Sequence, residues 1–201
     1  MKLFYSPGAC SLATHIALFE TGLAFSAERV DLKTKQTASG ADFRAINPKG
    51  YVPALQLEDG TVLTEGPALL QFVADQAPAA QLAPAFGDVA RYQLIGWLNF
   101  IGTEVHKQFS PLFNPAASDE AKSNARTAIA NRLGYLSSTL EGGDYLMGNY
   151  TVADAYLFVV LSWSGHVNVS LSDWPVLQAY LGRVAARPAV QQALRAEGLA
   201  K

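Results

Sequence analysis

The stretch KLFYSPGACSLATHIALFETG, Lys2–Gly22, decides the fold class. Lys2–Tyr5 is a short apolar strand, and Ser6-Pro7-Gly8 stops it. From Ala9 onward Leu12, Ile16 and Phe19 recur at helical spacing, until Gly22 offers the left-handed residue that ends a helix. Strand, tight turn and helix follow within a few residues, which is how a βαβ unit with parallel strands begins. The chain's single cysteine, Cys10, falls at the turn. Two readings of it are open. A free cysteine packs as a small hydrophobe. A thiol at a helix N-terminus instead meets unpaired N–H groups and the positive end of the macrodipole, which favour the thiolate. The Ser11 hydroxyl and the Tyr5 phenol, close in sequence, add two candidate donors to one sulfur.

Working outward, FSAERVDL reads as a second strand. VPALQLEDGTVLTE reads as a hairpin turning at Asp59-Gly60, followed by the helix ALLQFVADQ. The order over residues 1–77 is β-α-β-(α)-β-β-α. Residues 78–87, with Pro78 and Pro84 and almost no charge, read as a linker. From 88 to 201 every long segment has helical period. Asp88–Phe113 reads as one long helix, and a second opens at Ser118 as N-cap. A third begins with Thr151-x-x-Asp154, a relative of the capping box, and two more divide at Arg187-Pro188. The expected architecture is an α/β half followed by an all-α bundle.

Composition narrows the function. The 201 residues are half hydrophobic and 16% charged, with a net charge of −2 and no run of five like charges. Nothing here draws phosphate backbones or anionic lipid, so neither nucleic acid nor a membrane is an expected partner. One cysteine makes neither an internal disulfide nor a cysteine metal cage, and His15, His106 and His166 form no metal-binding spacing; no metal is expected. The N-terminal apolar run is too short for a signal peptide, and no uncharged apolar stretch reaches about 18 residues, so the expected location is the cytoplasm.

Two further stretches admit a functional reading beside a structural one. Pro53 at the start of a strand suits an edge, whereas a cis Val52-Pro53 bond would turn the Val52 backbone outward to pair with an extended peptide. Glu65 and Gly66 precede Pro67 at a helix start. There Glu65 complements the helix dipole, or meets a ligand ammonium while the Gly66 N–H holds its carboxylate. On the long helix Leu94, Leu98, Ile101 and Val105 form an apolar stripe. Asn99, Thr103 and His106 lie roughly opposite with Lys107 at the margin, a face that by itself reads as solvated.

Taken together, SPGACSLA, NPKGYVPAL, LTEG and GNYTVADAYLF resemble the cytosolic glutathione transferases, most of all the bacterial beta class, along the whole chain. The resemblance implies a thioredoxin-like first domain (1–77) and an all-helical second domain (88–201). It implies a homodimer that binds glutathione and a hydrophobic electrophile. Cys10 would face the glutathione sulfur and could form a mixed disulfide with it. The Val52-Pro53 backbone would pair with the cysteinyl part, and Lys35, otherwise a solvated loop lysine, would reach the glycyl carboxylate. Glu65 and Gly66 match the pair that holds the γ-glutamyl end. Gly66 replaces the commoner serine, which removes a hydroxyl and weakens carboxylate binding by on the order of one hydrogen bond. His106 and Lys107 match a pair near the sulfur; Asn99, Thr103 and Glu104 match contacts to the γ-glutamyl end, Glu104 on resemblance alone. Cys10, Ser11, Tyr5 and His106 are the candidates for stabilising the thiolate. Phe109, Leu112, Phe113 and Trp163 are candidates for the electrophile pocket. The expected activity is conjugation of glutathione. Its rivals are monothiol disulfide exchange, dehalogenation, or ligand binding without catalysis on the same fold.

Overall fold

The computed structural model describes residues 1–200, which divide into two compact units: 1–83 together with 186–200, and 84–185. The sequence reading kept 88–201 in one helical domain, whereas the chain after Ala185 joins the first unit.

In the first unit β1 (Lys2–Tyr5) leads into α1 (Ser11–Thr21), with Cys10 as its N-cap residue and Gly22, at φ 68°, closing it through an N–H to the Phe19 carbonyl. β2 (Ser26–Asp31) runs parallel to β1, as expected from the connecting helix. A two-residue strand absent from the sequence reading, β3 (Gln36–Thr37), pairs antiparallel with β2. It precedes the short helix α2 (Phe43–Ile46). β4 (Ala54–Gln56) and β5 (Val62–Thr64) form the hairpin, turning at Gly60 with φ 87°. β4 is antiparallel to β1, and the sheet order is β3-β2-β1-β4-β5. The period-two pattern decides the faces. Phe4, Val30, Val52 and Ala54 pack with Phe43 in one cluster, while Leu3 and Leu55, partners in register, alternate to the other side and are fully buried. α3 (Gly66–Gln76) packs against α1.

The helix Pro188–Ala196 also packs against α1, and an ion pair and a buried carboxylate–imidazole contact fasten it. Arg187 donates from Nε and Nη2 to Glu20, at 2.6 and 2.9 Å. Just beyond that helix, the Glu197 carboxylate, with no exposed surface, lies 2.9 Å from His15 Nδ1 and accepts the Gly8 N–H at 2.9 Å. His15, which belongs to no metal-binding spacing in the sequence, is buried, and its carboxylate partner lies 182 residues away.

In the second unit α4 (Val89–Phe100), a π-helical segment (Ile101–His106) and α5 (Lys107–Phe113) form the expected long helix, with a wide turn in the middle. The apolar stripe explains the turn. Leu94, Leu98, Ile101, Val105 and Phe109 are all fully buried. Fifteen residues over four turns would carry an α-helix, at about 100° per residue, roughly 60° past the core; the wider turn absorbs that drift.

α6 (Asp119–Leu140) starts where Ser118 accepts the Ala121 N–H, and α7 (Val152–Ser162) starts at a complete capping box. α8 (Pro175–Ala185) closes the unit, and the Pro188–Ala196 helix already described is α9. Asp154 is more than the second half of the box. Buried completely, it accepts the Thr151 and Leu146 N–H groups at 2.9 and 3.0 Å and the Tyr180 hydroxyl at 3.1 Å, tying α7 to the preceding loop and to α8. Burial pushes its pKa up, against the pull of those donors.

Replacing Asp154 with Ala strands several buried donors, whereas Thr151→Ala removes one cap. Urea unfolding is expected to show losses of about 3 kcal/mol for Asp154→Ala and about 1 kcal/mol for Thr151→Ala. Equal losses would reduce Asp154 to a simple cap.

Candidate active site

Cys10 is positioned by two elements of the first unit. The turn Ser6–Ala9 places it at the start of α1, and its Sγ donates to the Val52 carbonyl at 3.3 Å. The Val52–Pro53 bond is cis. The two motifs, 42 residues apart, therefore meet, and the partly exposed thiol lies against the Val52 backbone.

Its sequence neighbours divide. Ser11 was expected to offer its hydroxyl to a sulfur. Instead Oγ accepts the Ser6 N–H at 3.2 Å and donates to the Ser6 carbonyl at 3.3 Å, with no exposed surface. Ser11 closes the turn. Tyr5 stays half-buried with its ring 5.3 Å from that of His15. Burial pushes the phenol's pKa up and the Glu197 charge adds to that, so Tyr5 remains protonated near neutral pH.

Around the Gly50 loop, Lys35 takes the left-handed conformation with φ 60° and donates from Nζ to the Gly50 carbonyl at 2.9 Å. Its ammonium also stands 5.6 Å from the ring centre of exposed Tyr51. Glu65, the N-cap residue of α3, has φ 71°, an unfavourable conformation for a residue with a side chain. Its exposed carboxylate accepts from Lys49 Nζ at 2.6 Å, and the same ammonium reaches Thr64 Oγ1 at 3.1 Å. Nothing in the sequence marked Lys49, because the hairpin alone brings it to Glu65.

In the second unit the expected residues of the long helix have separate surroundings. Asn99 and Lys107 are exposed. Thr103, also exposed, turns its hydroxyl back onto the Asn99 carbonyl at 3.0 Å. Glu104 is held by Arg132 through Nε and Nη2, at 3.2 and 2.6 Å. His106 lies mostly buried, its Nδ1 2.7 Å from the Tyr156 hydroxyl and its ring 4.7 Å edge-on to Trp163. Burial, with the Lys107 charge added, lowers its pKa to about 4, so the imidazole is neutral at pH 7. Trp163 also meets Phe109 and Phe113 edge-on at 5.8 and 5.7 Å, which gathers three of the four expected pocket residues into one aromatic cluster. Among the described residues no three His, Cys, Asp or Glu side chains are grouped so as to hold a metal, and no helix is long and apolar enough to cross a membrane.

Known proteins match both units. Residues 8–76 match the glutathione S-transferase N-terminal domain, and residues 100–188 match the C-terminal domain. Over 99% of its length the chain is 48% identical to glutathione S-transferase GstA of Escherichia coli O157:H7, spanning 100% of that protein. The chain belongs to the glutathione S-transferase family. The bacterial beta class glutathione S-transferase of Sphingomonas chungbukensis has the same fold at a TM-score of 0.97. It is 55% identical, over 99% of this chain and 100% of that one. A sphingomonad glutathione S-transferase solved in complex with glutathione matches at 0.96 and 53% identity, with both chains covered completely. This transferase therefore has the thioredoxin-like first domain and helical second domain that its motifs resembled.

His106 gives the transferase a testable pH dependence. Its folded pKa, about 4, lies below the ordinary value near 6.5, so the unfolded chain binds a proton that the folded one refuses. The stability this provides is complete above about pH 7 and is lost as pH falls toward 4. Between pH 7.5 and pH 5 the wild type is expected to lose about 2 kcal/mol more than His106→Gln in urea unfolding. Parallel losses would show that His106 titrates normally.

Proposed function

We propose that this transferase conjugates the thiolate of glutathione to hydrophobic electrophiles, and that the Cys10–Val52 juncture marks where the tripeptide binds. One observation carries the reading: a thiol at the start of a helix lies against the backbone at a cis X-Pro bond, in the family whose sphingomonad member was solved with glutathione. A peptide laid along Val52 would add its backbone to that edge, bringing its own sulfur to the N-terminus of α1. Lys35 serves the glycyl carboxylate, and Glu65 with the Gly66 N–H serves the γ-glutamyl end. His106 and Lys107 serve the sulfur, while Asn99, Thr103 and Glu104 assist at the γ-glutamyl end. Since the Ser11 hydroxyl is committed to its own turn, Cys10, Tyr5 and His106 remain to stabilise the thiolate. The thiol proton leaves to solvent, and a carbon–sulfur bond forms. From an aryl chloride the halide departs with its electron pair. The Trp163, Phe109 and Phe113 cluster supplies an apolar bed for such a ring. The part-exposed single thiol favours a second activity, in which Cys10 attacks a disulfide and glutathione resolves the mixed product.

The working form is a cytoplasmic homodimer serving detoxification. Phe86, Val89 and Tyr92, at the start of α4, are exposed by 76, 77 and 66%, an apolar run that a second copy would cover. Sedimentation is expected to give twice the chain mass, and Val89→Asp with Tyr92→Asp to reduce it to one; a monomeric wild type would end that part of the reading.

Conjugation of glutathione to 1-chloro-2,4-dinitrobenzene tests the function. Wild type is expected to be active, and Cys10→Ala to stay within about tenfold of it, the worth of one hydrogen bond. Exchange with a glutathione-capped disulfide is expected to vanish in Cys10→Ala. A wild type that conjugates nothing would overturn the transferase substrate class proposed here. A Cys10→Ala protein without conjugation would make Cys10 the driver of the reaction.

A further inference from the structure

The environment of His106 contains a residue of the GNYTVADAYLF stretch to which the sequence assigned no chemistry. Tyr156 stands in α7, whose residues from Val152 to Leu161 are all buried, and is itself 4% exposed. A phenol hydroxyl in so apolar a helix is costly unless it is hydrogen-bonded. His106 Nδ1 lies 2.7 Å from it, and the two rings meet edge-on at 84° with centres 5.9 Å apart. The other ring nitrogen, Nε2, makes no hydrogen bond among the described residues. His106 is the last residue of the π-helical segment, so the wide turn that keeps the apolar stripe buried also sets this ring against α7.

We infer that Tyr156 is a positioning residue: its O–H donates to His106 Nδ1 and fixes the neutral tautomer that carries its proton on Nε2. The direction follows from the chemistry of the pair. An imidazole nitrogen is a strong acceptor, whereas a phenol oxygen, its lone pair delocalised into the ring, donates better than it accepts. The reverse arrangement would leave Nε2 a bare acceptor, which repels an anionic sulfur. With Nδ1 occupied, the ring offers one N–H and cannot rotate about its axis without breaking the bond, as when a carboxylate or carbonyl orients a metal-binding histidine. Trp163, edge-on at 4.7 Å, limits the same rotation. The inference rests on the reading that His106 serves the glutathione sulfur, but the tautomer itself is measurable without that reading.

Tyr156→Phe keeps the ring and removes only the hydroxyl. In wild type, nitrogen-15 NMR of the His106 ring is expected to show a protonated Nε2 and a bare Nδ1, and in Tyr156→Phe a mixture of tautomers. A wild type protonated on Nδ1, or a spectrum unchanged in Tyr156→Phe, would overturn the inference. In conjugation assays Tyr156→Phe is expected to lower kcat roughly 3- to 10-fold with KM for glutathione changed less than twofold. In a His106→Ala background the same substitution is expected to change neither, because the two residues act as one unit. An equal loss in both backgrounds would also overturn it. If His106→Ala leaves kcat intact while Tyr156→Phe still scrambles the tautomer, the inference stands and the role given to His106 in the reaction falls.

Discussion

The Glu197 carboxylate, buried without exposed surface between His15 and the Gly8 N–H, is the contact on which the first unit depends. An unpaired charge so placed would be expensive to desolvate, and removing one partner of such a pair costs more than the pair returns. The arrangement tolerates that cost because it connects four things at once. α1 supplies His15, the region just beyond α9 supplies the carboxylate, and the strand-to-helix turn supplies Gly8. Tyr5 packs its ring on the same imidazole. Gly8 has φ 70°, and Leu199 side-chain atoms would meet an added Cβ at 3.8 and 3.9 Å, an ordinary contact, so the turn's reason for glycine is conformational. Cys10 begins α1 two residues later, and its position follows from these contacts.

The two groups of site residues are prepared by different physics. Around Cys10 the backbone does the work, with the N-terminus of α1 and the Val52 carbonyl meeting at the thiol. Around His106 burial does it. Burial among aromatic rings keeps the imidazole neutral, so it presents a fixed dipole and not a positive charge. Lys107, next in sequence and exposed, carries its charge where water screens it. Fixed dipoles need no reorganisation when a charge develops beside them.

Legibility in the sequence followed the range of the interaction. Gly22, Ser118, Thr151, Asp59-Gly60 and Pro188 all act on the backbone within a few residues, and each ended or began the element expected of it. The parallel pairing of β1 with β2 followed from periodicity. Contacts distant in sequence left no such trace. Lys49 meets Glu65 through a hairpin, Tyr156 meets His106 across 50 residues, and Glu197 meets His15 across 182. Ser11 shows the opposite error, since a hydroxyl next to a thiol suggested chemistry while its nearest backbone had already claimed it. The π-helical turn was visible only as a slightly long apolar period, too small a drift to distinguish from a relaxed α-helix until the burial of Phe109 fixed its phase.

The first unit is assembled from both ends of the described chain, with the roughly one hundred residues of the second unit between its two parts. On a ribosome adding about 5–20 residues per second, some 5 to 20 seconds separate the emergence of those parts. During that interval the face of α1 that α9 will cover stays wet, His15 and the Gly8 N–H have no carboxylate, and the turn before Cys10 has no lock. The helical unit, contiguous in sequence, meets no such delay. The unit begun before the helical one is finished after it, and the Cys10 thiol gains its structured surroundings only once α9 has emerged behind the second unit.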